Sequence, residues 1–194
     1  MGIYEFAGCV VSYEPLYGLL RRRMETYRSD TEGQPDITLD GTKEDYEKLR
    51  KQYPHLSIEE CEYSCAGAEF YMKLLKHQGF MIHASAVEKE GKAYLFSAPS
   101  GTGKSTHAQL WRQTFKGEPI RIINDDKPAV CLQNGVFYAC GTPFSGKTDK
   151  NENRKAPIQG LCMLHRGKTN KIQKITSGEA LPLILPQTLF YGDE

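Results

Sequence analysis

The stretch that most constrains this chain runs from Ala93 to Thr106: Ala-Tyr-Leu-Phe-Ser-Ala-Pro-Ser-Gly-Thr-Gly-Lys-Ser-Thr. It reads as an apolar strand, a glycine-bearing loop and the first turn of a helix. Glycine takes positive φ without a steric penalty, so Gly101 and Gly103 let successive N–H groups turn towards one concave space. Those donors sit at the positive end of the helix that follows, which favours a phosphate. Lys104 adds a mobile charge for the outer phosphates, and the Ser105 hydroxyl suits a magnesium shell. Ser100, Thr102 and Thr106 complete the segment expected to wrap a nucleotide. Ala98 stands where the G-x-x-x-x-G-K-[ST] pattern has its first glycine, so the entry to the loop is expected to differ from the common form. A chance glycine-rich turn is the alternative; the strand before and the helix after weigh against it.

The chain has 194 residues, enough for one domain with an appendage. Its net charge of +1 gives no general electrostatic case for nucleic acid or an anionic membrane. No run approaches the roughly twenty apolar residues needed to cross a bilayer. The first residues lack a basic-then-apolar signal pattern. Six cysteines (Cys9, Cys61, Cys65, Cys131, Cys140, Cys162) include no C-x-x-C pair. They read as reduced thiols of a cytoplasmic protein rather than as disulfides or metal ligands.

Residues 1–79 are expected to form a small N-terminal α+β appendage, and residues 80–194 the nucleotide-binding core. In the first part, Ile3 to Tyr13 is strand-like, Arg21-Arg22-Arg23 lies on a short helix, and residues 28–42 read as loop. Lys43 to Gln52 is a helix capped by Thr42. Ser57-Ile58-Glu59-Glu60 matches a capping box that opens a helix reaching Gly79, with Gly67 a weakness in its middle. In the second part, Met81 to Val87 and Ala93 to Ala98 form an antiparallel hairpin that feeds the phosphate loop. His83 shares a face with Met81, Ser85 and Val87, as a structural or a functional histidine. The helix from Lys104 to about Phe115 carries His107 and Trp111 one turn apart, read as core packing rather than adenine stacking. Ile120 to Ile123 is the next strand, reached by a crossover expected to be right-handed.

That strand delivers Asn124-Asp125-Asp126 to its C-terminal end, where nucleotide enzymes place a magnesium ligand. Adjacent acids at a strand end point different ways and can divide the work. One holds the metal while the other accepts a proton from an attacking hydroxyl. An Asx-type turn closing the strand is the bland reading.

Taken together, H-A-S-A-V, S-G-T-G-K-S and N-D-D at these separations resemble the HPr kinase/phosphorylase family, whose P-loop core is related to the phosphoenolpyruvate carboxykinases. The resemblance covers roughly residues 80–165. It implies an α/β core with a mixed sheet and hairpins, acting with ATP and magnesium. It further implies that Lys104 and the amides from Gly101 to Ser105 hold the phosphates, and that Ser105 and Asp126 meet the metal. Asp125 and Asp126 share proton acceptance, and His83 supports an acid electrostatically. Residues 1–79 do not resemble the family's N-terminal domain. The acceptor expected is therefore a Ser/Thr-type hydroxyl of a protein or peptide rather than HPr itself.

Downstream, Val130 to Leu132 and Val136 to Tyr138 flank Asn134-Gly135, a pair suited to a type I′ hairpin. Gly141 to Lys147 and the polar run to Lys155 read as a cover, with Lys147 and Arg154 as candidate phosphate clamps. Ile158 to Leu164 and Lys171 to Ile175 are expected to pair as a hairpin. Thr176 to Glu179 opens a last helix, closed by Pro186. The functional expectation is a kinase transferring phosphoryl from ATP, as a monomer or a homo-oligomer. Its alternatives are a non-catalytic nucleotide-sensing or partner-binding module and a carboxykinase-like enzyme. Neither nucleic acid nor membrane is an expected partner.

Overall fold

The fold is that of a computed structural model, which describes residues 1–115 and 117–189. It is a mixed α/β protein with two sheets. The chain opens with the hairpin β1 (Gly2–Phe6) and β2 (Cys9–Tyr13), turned by Ala7 and Gly8 at φ of 53° and 76°. Helix α1 (Gly18–Met24) follows, and the short β3 (Ile37–Thr38) joins β2 in parallel. Residues 28–42, expected as loop, thus contribute a third strand. Helix α2 (Lys43–Gln52) and helix α3 (Ile58–Leu74) both begin with a complete capping box, Thr42 with Asp45 and Ser57 with Glu60. Each box satisfies backbone donors that the first helical turn would leave unpaired.

Helix α3 stops at Leu74, short of the expected Gly79. A 3-10 turn takes over from Leu75 to His77, and Gln78, at φ 56°, supplies the left-handed residue. Gly79 answers a different need: a Cβ there would lie 2.8 Å from the Leu74 side chain. Gly67 likewise makes room, because a Cβ there would sit 3.0 Å from the ring of Phe144. Its cost to helix stability is exchanged for close packing against the second half of the chain.

The large sheet has seven strands in the order β4-β8-β9-β10-β6-β5-β7. They are β4 (Gly79–Met81), β5 (Ala84–Lys89), β6 (Lys92–Ser97), β7 (Arg121–Asn124), β8 (Ala129–Gln133), β9 (Val136–Cys140) and β10 (Lys155–Met163). The single strand expected over Met81–Val87 is in fact two. Strand β4 pairs with β8 and β5 with β6, while Ile82 and His83 cross between them, their amides bonded to Pro128 and Gln187 carbonyls. The β5–β6 hairpin is antiparallel, with Ala84 opposite Ser97, and leads into the loop before helix α4 (Lys104–Thr114). After α4 the chain enters β7, which pairs antiparallel to the other edge of β5. Strands β6 and β7 therefore point the same way with β5 between them. Their C-terminal ends, leading into the glycine-bearing loop and the acidic pair, emerge at one end of the sheet. Asn134 and Gly135, at φ 49° and 78°, turn β8 into β9 as their sequence requires.

The expected partner strand of β10 does not form. Residues 171–175 are irregular. Their two isoleucines, Ile172 and Ile175, stand three apart, so a strand would point them to opposite faces. Helix α5 (Ser177–Ile184) has its own capping box from Thr176.

Three apolar clusters hold these layers. The largest joins Tyr4, Phe6, Leu20 and Phe70 of the N-terminal half to Ala129, Cys131 and Phe144. Phe70 and Phe144 stack at 5.9 Å. A second lies under β5, β6 and β8, and a third under α4, where Trp111 and His107 pack on Tyr94 and Phe96 as expected. Among the described residues no helix is long and apolar enough to cross a membrane. The cysteines are free thiols.

Candidate functional site

The phosphate-loop segment begins where β6 ends. Ala98 is buried, and its φ is not positive, unlike those of Gly101 (77°) and Gly103 (118°). The loop turns after Pro99, whose carbonyl accepts the Thr102 amide. Gly103 in the left-handed conformation is the N-cap of α4 and offers no side-chain cap. As a result the amides of Lys104, Ser105 and Thr106 find no acceptor among the described residues. Lys104 is only 7% exposed, and its ammonium donates to the Ala98 carbonyl at 2.9 Å. Burial pushes its pKa below the ordinary lysine value, and the charges of Asp126 and Asp125 act in the opposite sense.

The acidic corner is built by a different route. Asn124, buried at the end of β7, donates to Thr142, while its own carbonyl oxygen accepts the amides of Asp126 (3.0 Å) and Lys127 (2.8 Å). The Asx turn that the sequence offered as a bland reading does exist, but Asn124 makes it. Asp125 and Asp126 are left free for other contacts. Asp125, 3% exposed, accepts from the Ser85 hydroxyl at 2.7 Å on one oxygen and from Thr148 at 2.9 Å on the other. Asp126 lies nearer solvent, its side chain 25% exposed. His83 Nε2 stands 3.5 Å from its Oδ1, and the Lys127 ammonium pairs with its Oδ2. The other His83 nitrogen, Nδ1, is 3.3 Å from the Gln187 amide oxygen, which fixes the ring. Burial alone would raise the Asp126 pKa; hydrogen bonding to His83 and the charge of Lys127 outweigh it and bring the pKa down to about 2.

The turn from Gly146 to Thr148 closes this corner. A Cβ at Gly146 would come within 2.7 Å of the Asp126 carboxyl, and φ there is 69°. Lys147 is exposed on that turn, and the carboxylate its charge acts on is Glu60. Arg154 is a correction. Its guanidinium grips Glu88 at 2.7 and 3.2 Å. Glu88 pairs with Ala93, at the end of β5 remote from the phosphate loop. A cation committed to a half-buried carboxylate at the wrong end of the sheet cannot clamp a phosphate held at the loop.

The structure thus brings Ser100 to Thr106, His83, Asp125, Asp126 and, on the Gly146–Thr148 turn, Lys147 to one end of the sheet. It also brings residues that the sequence reading missed. Ser85 could have been found, since the strand expected over Met81–Val87 sets it on one face with His83. Lys127 adjoins the acids in sequence. Thr148, and Arg166, whose guanidinium donates to the Gly101 carbonyl at 2.5 Å, come from distant segments without a local signal. Among the described residues no group of three or more His, Cys, Asp and Glu forms a ready-made metal cage. Neither a scan against protein-family models nor a search of curated proteins finds a match for this chain.

Proposed function

We propose that this protein is an ATP- and magnesium-dependent phosphotransferase with an HPr kinase-like P-loop core, acting on a Ser/Thr-type hydroxyl of a protein or peptide. The observation that carries the reading is the common end of β6 and β7. There, amides without an acceptor among the described residues and the buried Lys104 lie near enough to two carboxylates for their charge to act on Lys104. The parallel β6–α4–β7 crossover with antiparallel β5 between its strands supports the finer fold assignment.

On this reading the amides from Gly101 to Ser105 and the Lys104 ammonium bind the phosphate tail. Binding breaks the bond of Lys104 to the Ala98 carbonyl. Magnesium needs only one or two carboxylates besides phosphate oxygens and water, and the Ser105 hydroxyl and Asp126 are hard oxygen donors of that kind. When bound, it neutralises phosphate charge. Asp126, the more accessible acid, accepts the proton of the attacking hydroxyl; the hydroxyl oxygen bonds to the γ-phosphorus as the bond to the bridging oxygen breaks and ADP leaves. A carboxylate with a pKa near 2 is a weak base, but the negative phosphates brought beside it raise that value. His83 and Lys127 hold Asp126 in place, Asp125 braces the turn through Thr148 and β5 through Ser85, and Lys147, exposed on that turn, is the further cation this reading assigns to phosphate charge. The pairing of Lys127 with Asp126 favours a second reading, a nucleotide-sensing module whose acid is already neutralised.

Incubation with γ-labelled ATP, magnesium and a lysate of the host separates the two. The kinase reading expects label on a discrete acceptor, lost in Lys104→Ala. Nucleotide binding by calorimetry without any labelled product would overturn it in favour of the sensor.

A further inference from the structure

Strand β10 lies in the middle of the sheet order, yet from Gly160 to Leu164 it is only half-buried. Its pairing explains this. Lys155–Pro157 pairs with β9, whereas Ile158–Met163 pairs with β6 across the opposite edge. Among the described residues no strand covers the other edge of Ile158–Met163. Leu164 donates its amide to the Ser97 carbonyl, on the β6 side. Residues of a strand alternate in the edge they face, so Leu161 and Met163 turn their N–H and C=O groups to the free edge.

A groove of about 800 Å³ runs beside that edge. Leu161 and Met163 form one wall, and Ile172, Ile175, Leu183 and Ile184 contribute to the other. Ile172 is 88% exposed, an unusual position for an isoleucine. The charge is one-sided. Between Lys155 and Gly178 the sequence has five Lys or Arg (Lys155, Arg166, Lys168, Lys171, Lys174) and no Asp or Glu. Lys171 and Lys174 line the groove themselves, and no acid does. Glu179, the next acid, is spent on capping α5. One end of the groove adjoins the phosphate loop through the bond from Arg166 to Gly101.

We propose that this groove binds an extended, acidic segment of a polypeptide partner, added as a strand along Leu161–Met163. The free backbone groups select a strand, the apolar walls select alternating apolar side chains, and the lysines select carboxylates between them. A second copy of this chain is the poorer occupant, because symmetric pairing would set Lys171 and Lys174 against themselves. As the docking site of the phosphoryl acceptor, the inference rests on the phosphotransfer reading. Four strand spacings of about 4.8 Å then separate the docked segment from β7, so the modified hydroxyl lies about six residues from it.

The test is fluorescence anisotropy on the full chain without nucleotide, so that its outcome is independent of catalysis. The probes are a labelled ten-residue peptide alternating valine with glutamate, the same peptide with lysine for glutamate, and the acidic peptide N-methylated on alternate amides. The acidic peptide is expected to bind in a salt-dependent way, with N-methylation weakening it at least tenfold. Met163→Pro removes one free-edge N–H without touching the β6 ladder and should abolish binding. Should that variant misfold, the surface pair Lys171→Glu with Lys174→Glu decides, and is expected to reverse the preference to the basic peptide. Equal binding of acidic and basic peptides would overturn the proposal. So would indifference to N-methylation, or self-association of the chain through this edge that Met163→Pro abolishes. Peptide binding that persists while no acceptor is ever labelled would instead refute the phosphotransfer reading alone.

Discussion

The two halves of the candidate site are held ready in opposite ways. At the glycine-bearing loop the backbone does the work: two glycines at positive φ, a helix capped by no side chain, and three amides without an acceptor among the described residues. At the acidic corner side chains do it. Every carboxylate oxygen of Asp125 and Asp126 has a neighbour, drawn from Ser85 of β5, His83 in the crossing before it, Lys127 after the pair, and Thr148 of the turn. Donors of the loop thus lack acceptors among the described residues, whereas the acids of the corner are already engaged. Binding energy should come from the first and rate from the second.

Lys104→Ala breaks that comparison most severely. It removes the buried ammonium at the loop, and labelled transfer should fall below detection with nucleotide affinity weakened at least a hundredfold by calorimetry. Asp126→Asn comes next, with kcat expected to drop about 10²- to 10⁴-fold while nucleotide affinity measured without magnesium stays within about threefold. Nucleotide affinity that falls as far as the rate would erase the division between the two halves. Ser85→Ala and Thr148→Ala each free one oxygen of buried Asp125. A hydrogen bond to a charged group is worth about 1.5–3 kcal/mol, so each variant should lose stability of that order by chemical denaturation.

The corner should also leave a signature in acid. The Asp126 pKa is depressed from its ordinary value to about 2, so its contribution to stability is fully present above about pH 4 and disappears as pH falls towards 2. That contribution is about 2 kcal/mol. Thermal melts of wild type should decline over this window, and Asp126→Asn should flatten the decline. The smallest effect belongs to Arg154→Ala, at the remote end of β5. It should cost no more than about 1 kcal/mol of stability and leave transfer unchanged; a large loss of transfer would return Arg154 to the phosphate.

Much of this arrangement was legible in the sequence wherever the signal is local. The capping boxes at Thr42, Ser57 and Thr176, the Asn134-Gly135 turn and the glycine-to-lysine spacing of the phosphate loop each depend on a few neighbouring residues. Asp125 and Asp126 were found because a strand end fixes where they emerge. The braces were not legible, because Ser85 and Thr148 stand 40 and 23 residues from Asp125 in sequence. Arg154 misled for the converse reason: a loop cation has no local rule for its partner, and Glu88 is 66 residues away. The failed β10 hairpin has the same root, since pairing depends on which edge is reached first and on side-chain alternation that Ile172 and Ile175 lack.

The central claim is that one phosphate tail lies between Lys104 and Asp126. A crystal structure with a non-hydrolysable ATP analogue and magnesium tests it directly. The account predicts the γ-phosphate on the amides after Gly103, with the Lys104 ammonium moved from Ala98 to a phosphate oxygen and the Asp126 carboxylate facing the same group. A nucleotide seated elsewhere, or one whose γ-phosphate lies out of reach of both acids, would contradict it.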